Sequence, residues 1–154
     1  MKPGDIRIGR LRDHTELLAD IAALYTAVWP SWYRPDGPGD AVADLTERCR
    51  DQGLPCGFVA IVGQRPVGAV ALSPQSFGAM AGEGPWLVGL AVEESFRRQG
   101  VGTRLIAQAE AAARGYGNWL YCTTDTAAGL LAARGWVDLR RAGEGPDRVY
   151  RLTL

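Results

Sequence analysis

The chain has 154 residues, with 17 basic and 17 acidic side chains and a formal net charge of zero. This length suits a single domain, which we place at residues 1–154, with a core that needs no disulfide or metal. The even charge argues against a nucleic-acid partner, and the three cysteines lack CxxC spacing. No apolar run approaches the ~20 residues of a membrane helix, and no signal peptide is visible, so we expect a cytoplasmic protein.

The first half of the sequence predicts a strand, two helices and a hairpin. These lie, in order, at 5–11 (strand), 17–28 (helix), 29–39 (loop), 40–52 (helix), 58–62 and 67–72 (paired strands). Asp13 and Glu16 have the spacing of a capping box before the first helix. Asp40 is a suitable N-cap for the second helix, and Gly53 would end it.

The second half alternates strands with helices. It predicts a loop at 73–85, strands at 86–92 and 118–124, helices at 101–115 and 126–133, and closing strands at 137–139 and 149–152. The strand from Trp86 to Val92 is apolar throughout, as expected of a strand that is covered on both faces. The fold class is therefore α/β (α+β).

A glycine-rich turn, Arg97–Gly102, joins this apolar strand to the long helix. Glycines let the backbone approach an anion closely, and a helix start carries unpaired N–H groups and a partial positive charge. Arg97, Arg98 and Arg104 add formal charge, so the turn suits a pyrophosphate. By itself the turn is a weak signal, because a plain strand-to-helix junction would look similar.

The context of this turn is more specific. The segment from Val92 to Gly102 resembles motif A of the GNAT N-acetyltransferase superfamily. The segment from Val59 to Gly68 is similar to the family's central hairpin, and the segment from Ala127 to Trp136 resembles its helix leading to a Gly-aromatic pair. The resemblance covers nearly the whole chain. It implies a mixed, mostly antiparallel central sheet, splayed between the strands at 86–92 and 119–124, with helices on both faces.

The resemblance also implies a reaction, in which acetyl-CoA lies in the splay and gives its acetyl group directly to an amine. The backbone N–H of Leu90 would polarise the thioester carbonyl, as in an oxyanion hole. The expected acetyl-CoA contacts are Leu90, Ala91, Val92, Arg97, Arg98, Gln99, Gly100, Val101, Gly102, Thr103, Thr124, Ala127 and Leu131. We expect acetyl-CoA as co-substrate and no metal.

The sequence departs from the family at its usual proton carriers. Trp86 and Val88 stand where family members often have Glu or His, and Leu131 stands where they often have the Tyr that protonates the thiolate. The remaining candidates are Glu83 as the base, Tyr33, Tyr25 and Tyr121. Cys122, in a predicted buried strand, reads as a small hydrophobic residue, with a covalent acyl-cysteine as the alternative.

The acceptor pocket is expected in the loop that holds Trp29, Trp32 and Tyr33, whose rings would either bind the acceptor or cover the core. The first hypothesis is an N-acetyltransferase for a small-molecule or peptide amine, acting as a monomer or homodimer. The alternative is a non-catalytic acyl-CoA-binding module, which the missing proton carriers motivate. A charged-RNA acceptor is disfavoured by the balanced charge.

Overall fold

The computed structural model describes residues 5–154, so the first residues of the predicted domain lie outside it. One seven-stranded sheet has the order β1-β2-β3-β4-β5-β7-β6. The strands are β1 Ile6–Arg10, β2 Cys56–Val62, β3 Arg65–Ser73, β4 Trp86–Val92, β5 Trp119–Thr124, β6 Val137–Arg141 and β7 Arg148–Thr153. All neighbours run antiparallel except β4 and β5, which are parallel. The expected mixed, mostly antiparallel sheet is confirmed.

Helices cover both faces of this sheet. They are α1 Leu18–Val28, α2 Pro30–Tyr33, α3 Ala41–Glu47, α4 Val101–Ala113 and α5 Ala128–Ala133. Side chains of α1 and α3 belong to one buried cluster with Val59 and Ile61 of β2, while those of α4 and α5 belong to another with the neighbouring Phe58 and Ala60. Successive residues of a strand point to opposite faces, so β2 is covered on both sides. None of the helices in the described part of the chain is long and apolar enough to cross a membrane.

The first helical region differs from the expectation. Asp13 ends the 3₁₀ turn Leu11–Asp13, and α1 begins at Leu18 with no side-chain cap, so the capping-box prediction was wrong. A short helix, α2, stands inside the predicted loop because Pro30 at its first position has a φ suited to a helix start. The Asp40 cap is confirmed by its hydrogen bond from the Ala43 N–H (3.0 Å).

The helix predicted at 40–52 is α3, which is shorter than predicted because it ends at Glu47. After it, Cys49 forms an isolated antiparallel bridge with Cys56 at the start of β2. The backbone hydrogen bond from Gly57 N–H to the Arg48 carbonyl (3.0 Å) belongs to the same connection. Pairing with β2 therefore replaces the last predicted helical turn.

A buried carboxylate holds α5 against α4. Glu110 of α4, which is 7% exposed, accepts hydrogen bonds from Arg134 (2.7 and 2.9 Å) and from Trp136 Nε1 (3.0 Å). Charged hydrogen bonds of this kind compensate the cost of burying the carboxylate. The contact ties the C-terminal end of α5 to α4.

Candidate active site

The gap between β4 and β5 is the central feature of the site. The two strands pair only at Trp86 with Tyr121 and at Leu87 with Cys122, whereas β4 stays paired with β3 as far as Val92. Within the described residues, the part of β4 from residue 88 onward thus has no strand partner on its β5 side. An extended ligand can add there as a further strand would. The expected splay is confirmed.

A bulge interrupts β4 inside this gap. Gly89 and Leu90 together oppose the single residue Val70, because the register shifts between Ala69 and Ala71. Gly89 has φ +61°, a conformation that glycine tolerates and other residues rarely adopt. Its carbonyl accepts a hydrogen bond from the Tyr25 hydroxyl of α1 (2.8 Å). The bulge changes the direction of the peptide that carries the Leu90 N–H.

Past the bulge, Val92 presents its backbone to the gap. Glu93 N–H donates to the Val67 carbonyl (2.9 Å) on the β3 side. Because adjacent residues of a strand alternate the side of their backbone groups, the N–H and C=O of Val92 point away from β3. The carbonyl accepts from Arg97 Nε (3.1 Å), which leaves the N–H for a ligand.

The glycine-rich turn forms the far end of the gap. Arg98 and Gly100 both have positive φ, +63° and +84°, and α4 starts immediately afterwards without a side-chain cap in the described residues. Its first N–H groups are therefore available to an anion, and alternating backbone conformations of this kind form anion-binding concavities. A Cβ built on Gly100 meets nothing within 4 Å, so the turn is open on that side. The Arg104 side chain instead donates to the Ile6 carbonyl of β1 (2.5 Å).

The opposite wall of the gap includes a residue that the sequence reasoning missed. A Cβ on Gly102 would lie 3.4 Å from Leu130 Cδ1 and 3.8 Å from Val92 Cγ2, so these residues are neighbours. Leu130 is 43% exposed, whereas Leu131 is fully buried in the core beneath α4. Leu131, which was expected to touch acetyl-CoA, therefore offers no side-chain surface to the gap, whereas Leu130 does. Adjacent helical residues point about 100° apart, so the two neighbouring leucines of α5 face different surroundings.

Thr124 and Ala127, both expected to touch acetyl-CoA, are joined to each other. The Thr124 hydroxyl accepts from the Ala127 N–H (3.1 Å) just before α5. Ala91 and Val101 are buried, at 3% and 1% exposure, so their side chains are not offered to a ligand. By the same alternation that turns Val92 toward the gap, the backbone groups of Ala91 face β3.

Glu83, the expected base, is engaged by Arg140. The guanidinium donates to both carboxylate oxygens (2.9 and 2.5 Å), and the Met80 N–H donates to one of them (2.9 Å). These hydrogen bonds hold the pKa of Glu83 below its ordinary value. Such a carboxylate is a weak base, and the structure does not support the expected role.

Tyr33 is also engaged. Its hydroxyl donates to Asp44 Oδ2 (2.7 Å), and burial together with this carboxylate raises its pKa well above the ordinary value for tyrosine. The phenol therefore stays protonated and does not serve as a base. Tyr121 packs in the core against Trp86, with ring centroids 5.1 Å apart. Burial raises the pKa of the Cys122 thiol to about 12, so the acyl-cysteine alternative has no thiolate to use.

The three aromatic residues of the acceptor loop take two different roles. Trp29 and Tyr33 pack on Tyr25, with ring centroids 5.2 and 5.8 Å from it, while Trp32 is 52% exposed. Nearby is a cavity of about 260 Å³, and Arg48, which contacts Tyr25, belongs to its wall. The cavity is lined by Asp44, Glu47, Arg48, Pro55, Ser73, Pro74 and Gln75.

The comparisons with known proteins agree with this geometry. The model of the Acetyltransferase (GNAT) family matches residues 21–136. An aminoglycoside 6'-N-acetyltransferase complexed with coenzyme A is 22% identical, with 96% of each chain covered and a TM-score of 0.71. An N-acetylglutamate synthase from Neisseria gonorrhoeae, complexed with coenzyme A and N-acetyl-glutamate, is 18% identical, with a TM-score of 0.69 over 97% of this chain and 35% of that one. An acetyltransferase from Thermus thermophilus is 21% identical, with a TM-score of 0.68 and 97% of each chain covered.

At these identities the structures show a shared fold. The search of curated proteins gave no match. The family model, however, spans most of the sequence, including α1, the bulged strand β4, the glycine-rich turn and α4. With the splay and the open helix start in the expected places, the chain belongs to the GNAT family of acetyltransferases.

Proposed function

We propose that the protein is an N-acetyltransferase that moves an acetyl group from acetyl-CoA directly to the primary amine of a small molecule. The observation that carries the proposal is the continuous path from the bulge at Gly89 and Leu90 to the turn at Arg98–Thr103. One strand and the turn after it thus offer a carbonyl-binding N–H, a free strand edge and an anion site, in the order in which acetyl-CoA carries its thioester, pantetheine and pyrophosphate.

The proposed binding mode uses backbone groups. The pyrophosphate would lie at the first N–H groups of α4, beside Arg98 and Gln99, and the pantetheine arm would pair with the Val92 N–H. Leu130 would cover the arm from the side of α5. The Leu90 N–H would donate to the thioester oxygen, where negative charge develops during attack.

In the proposed transfer, the amine nitrogen attacks the thioester carbonyl carbon. The C–N bond forms, the C–S bond breaks, and coenzyme A leaves as a thiolate that solvent protonates. Because Glu83 and Tyr33 are committed to Arg140 and Asp44, the surplus proton on nitrogen would pass to water. Only the neutral amine can attack, so the acceptor's own pKa would govern the reaction rate.

A small-molecule acceptor is favoured by the cavity of about 260 Å³ between α3 and the end of β3. Asp44 and Glu47 in its wall suit a cationic amine. The similar structures named above include an aminoglycoside 6'-N-acetyltransferase and an N-acetylglutamate synthase, and the compounds in these names are also small molecules.

The first test is a calorimetric titration with acetyl-CoA, with free coenzyme A and dephospho-coenzyme A for comparison. We expect ~1–10 μM affinity for acetyl-CoA, in the usual range for enzyme substrates. A panel of small amines and peptides is then scanned for acceptor-dependent release of free thiol. Tight acetyl-CoA binding without turnover on any amine would refute the enzymatic proposal.

A second candidate is a non-catalytic acyl-CoA-binding module. The observation that favours it is that Trp86 and Leu131, at the positions of the family's usual base and acid, are both fully buried in the core. This candidate predicts binding with no thiol release, so acceptor-dependent turnover excludes it.

A further inference from the structure

A pair of side chains, one buried and one partly buried, lies behind the bulge on the face opposite α4. Tyr25 of α1 is 1% exposed, and its hydroxyl donates to the Gly89 carbonyl at 2.8 Å. Arg48, just after α3, donates from Nη1 to the same hydroxyl at 3.1 Å. Its guanidinium also lies 5.7 Å from the centre of the Tyr25 ring. The positive charge of Arg48 is thus linked, through the Tyr25 hydroxyl, to the peptide group that follows Gly89.

Tyr25 and Arg48 lie so close to Gly89 that they leave no room for a side chain at this position. A Cβ on Gly89 would lie 2.5 Å from the Tyr25 hydroxyl and 2.7 Å from Arg48 Nη1, both closer than carbon can approach. Any larger residue would separate the peptide from the pair. The positive φ of +61° at Gly89 is unfavourable for other residues as well. The glycine and the pair therefore function together.

The carbonyl of Gly89 and the N–H of Leu90 belong to the same planar peptide group. In a trans peptide these two groups point in opposite directions, so a hydrogen bond that fixes one also fixes the other. Hydrogen bonds in series also polarise one another, and a donor on the carbonyl makes the N–H of that peptide a stronger donor. Burial raises the pKa of Tyr25, so its phenol remains protonated and keeps donating.

We propose that Tyr25 and Arg48 are positioning residues that aim and polarise the Leu90 N–H toward the thioester oxygen of acetyl-CoA. The inference rests on the proposed function, because it assigns a purpose to the oxyanion donor of that site. Neither side chain touches the reacting atoms. Both act through the Gly89–Leu90 peptide.

The aromatic residues around Tyr25 keep its ring in place for this task. The ring of Trp29 meets that of Tyr25 edge-on at 5.2 Å, and Tyr33 lies at 5.8 Å on a tilted plane. Contacts of this geometry are favourable between aromatic rings. Loss of the Tyr25 hydroxyl alone therefore leaves the packing of the ring intact, which makes Tyr25→Phe a clean variant.

The test measures the polarisation of the carbonyl directly and needs no acceptor. Acetyl-CoA labelled with ¹³C at its thioester carbonyl is bound to the protein, and its C=O stretch is read by isotope-edited infrared spectroscopy. In the wild-type protein we expect a shift to lower frequency relative to the free thioester. In Tyr25→Phe we expect at least about half of this shift to be lost, with the Kd for acetyl-CoA within about threefold, because the anion site is untouched.

Tyr33→Phe is the matched control for the spectrum. It removes a second phenol from the same aromatic cluster, but that hydroxyl donates to Asp44 rather than to the bulge. We expect it to leave the carbonyl frequency unchanged. Arg48→Met keeps a long side chain without the charge, and we expect a smaller loss in the same direction as in Tyr25→Phe. If Tyr25→Phe does not fold, Arg48→Met provides the spectroscopic test instead, because Arg48 is only partly buried.

Once an acceptor is known, the kinetics of Tyr25→Phe give a second readout. We expect kcat to fall about tenfold with an unchanged KM for acetyl-CoA, which is less than the loss of an oxyanion donor itself. A full wild-type carbonyl shift in Tyr25→Phe and in Arg48→Met would overturn the inference and leave the proposed function standing. Failure of the wild-type protein to bind acetyl-CoA would instead overturn the proposed function.

Discussion

A glutamate at position 100 tests the anion site most directly. Gly100 lies at the start of α4 with φ +84°, and a side chain there would extend into open space beside the first helical N–H groups. A carboxylate would occupy this space and would itself accept the hydrogen bonds that we propose for the pyrophosphate. We expect Gly100→Glu to abolish acetyl-CoA binding.

The magnitude follows from the groups involved. A hydrogen bond to a charged group contributes about 1.5–3 kcal/mol, so the loss of two of them weakens binding at least about a hundredfold. Repulsion between the new carboxylate and the phosphates adds to this loss. The positive φ separately costs the fold about 1–2 kcal/mol, because a Cβ is disfavoured there.

The assay is a calorimetric titration of both proteins with acetyl-CoA, with thermal unfolding measured in parallel. Gly63→Glu is the matched control, since Gly63 also has positive φ (+63°) and open space around its Cβ, but lies in the β2–β3 turn. The control should lose similar stability and keep its affinity. Wild-type affinity in a folded Gly100→Glu protein would refute the assignment of the turn as the phosphate site.

Three further outcomes are expected. Leu131→Phe overpacks the core and should lower the free energy of unfolding by about 1–3 kcal/mol, yet keep acetyl-CoA affinity within about tenfold in titration. Cys122→Ala should retain turnover within about twofold, because a thiol whose burial raises its pKa to about 12 forms no acyl intermediate; complete inactivation of the folded variant would contradict this. Arg140 lowers the pKa of Glu83 below its ordinary 4.5, so this carboxylate stabilises the fold above that pH and ceases to do so as the pH falls through its folded pKa. Glu83→Gln should therefore lower Tm at pH 7, with the difference from wild type shrinking below pH 4.5 in a series of melting curves.

Local patterns in the sequence were enough to locate the elements that build the gap. The continuous apolar run predicted β4 with the bounds it has in the structure, Trp86–Val92. The glycine-rich turn and the helical periodicity after it predicted the start of α4 at Val101. These features follow from interactions within a few residues of each other, which a single sequence displays.

The chemistry around the gap depends on contacts between distant parts of the chain. Glu83 was the expected base, but Arg140, 57 positions later, holds its carboxylate. Tyr25 was a candidate proton carrier, but its hydroxyl donates to the carbonyl of Gly89, 64 positions later. The hydrogen bonds of Glu110 hold α5 in the orientation in which Leu130, rather than Leu131, borders the gap. The register of β3 against β4 placed the bulge.

By itself, the sequence determined the order of the elements and the place of the glycine-rich turn, because periodicity, helix ends and glycine conformations are local properties. The tertiary structure alone decided which polar groups remain free to react. A side chain's hydrogen-bond partners and burial are set by whatever the fold brings against it, and no local spacing records that.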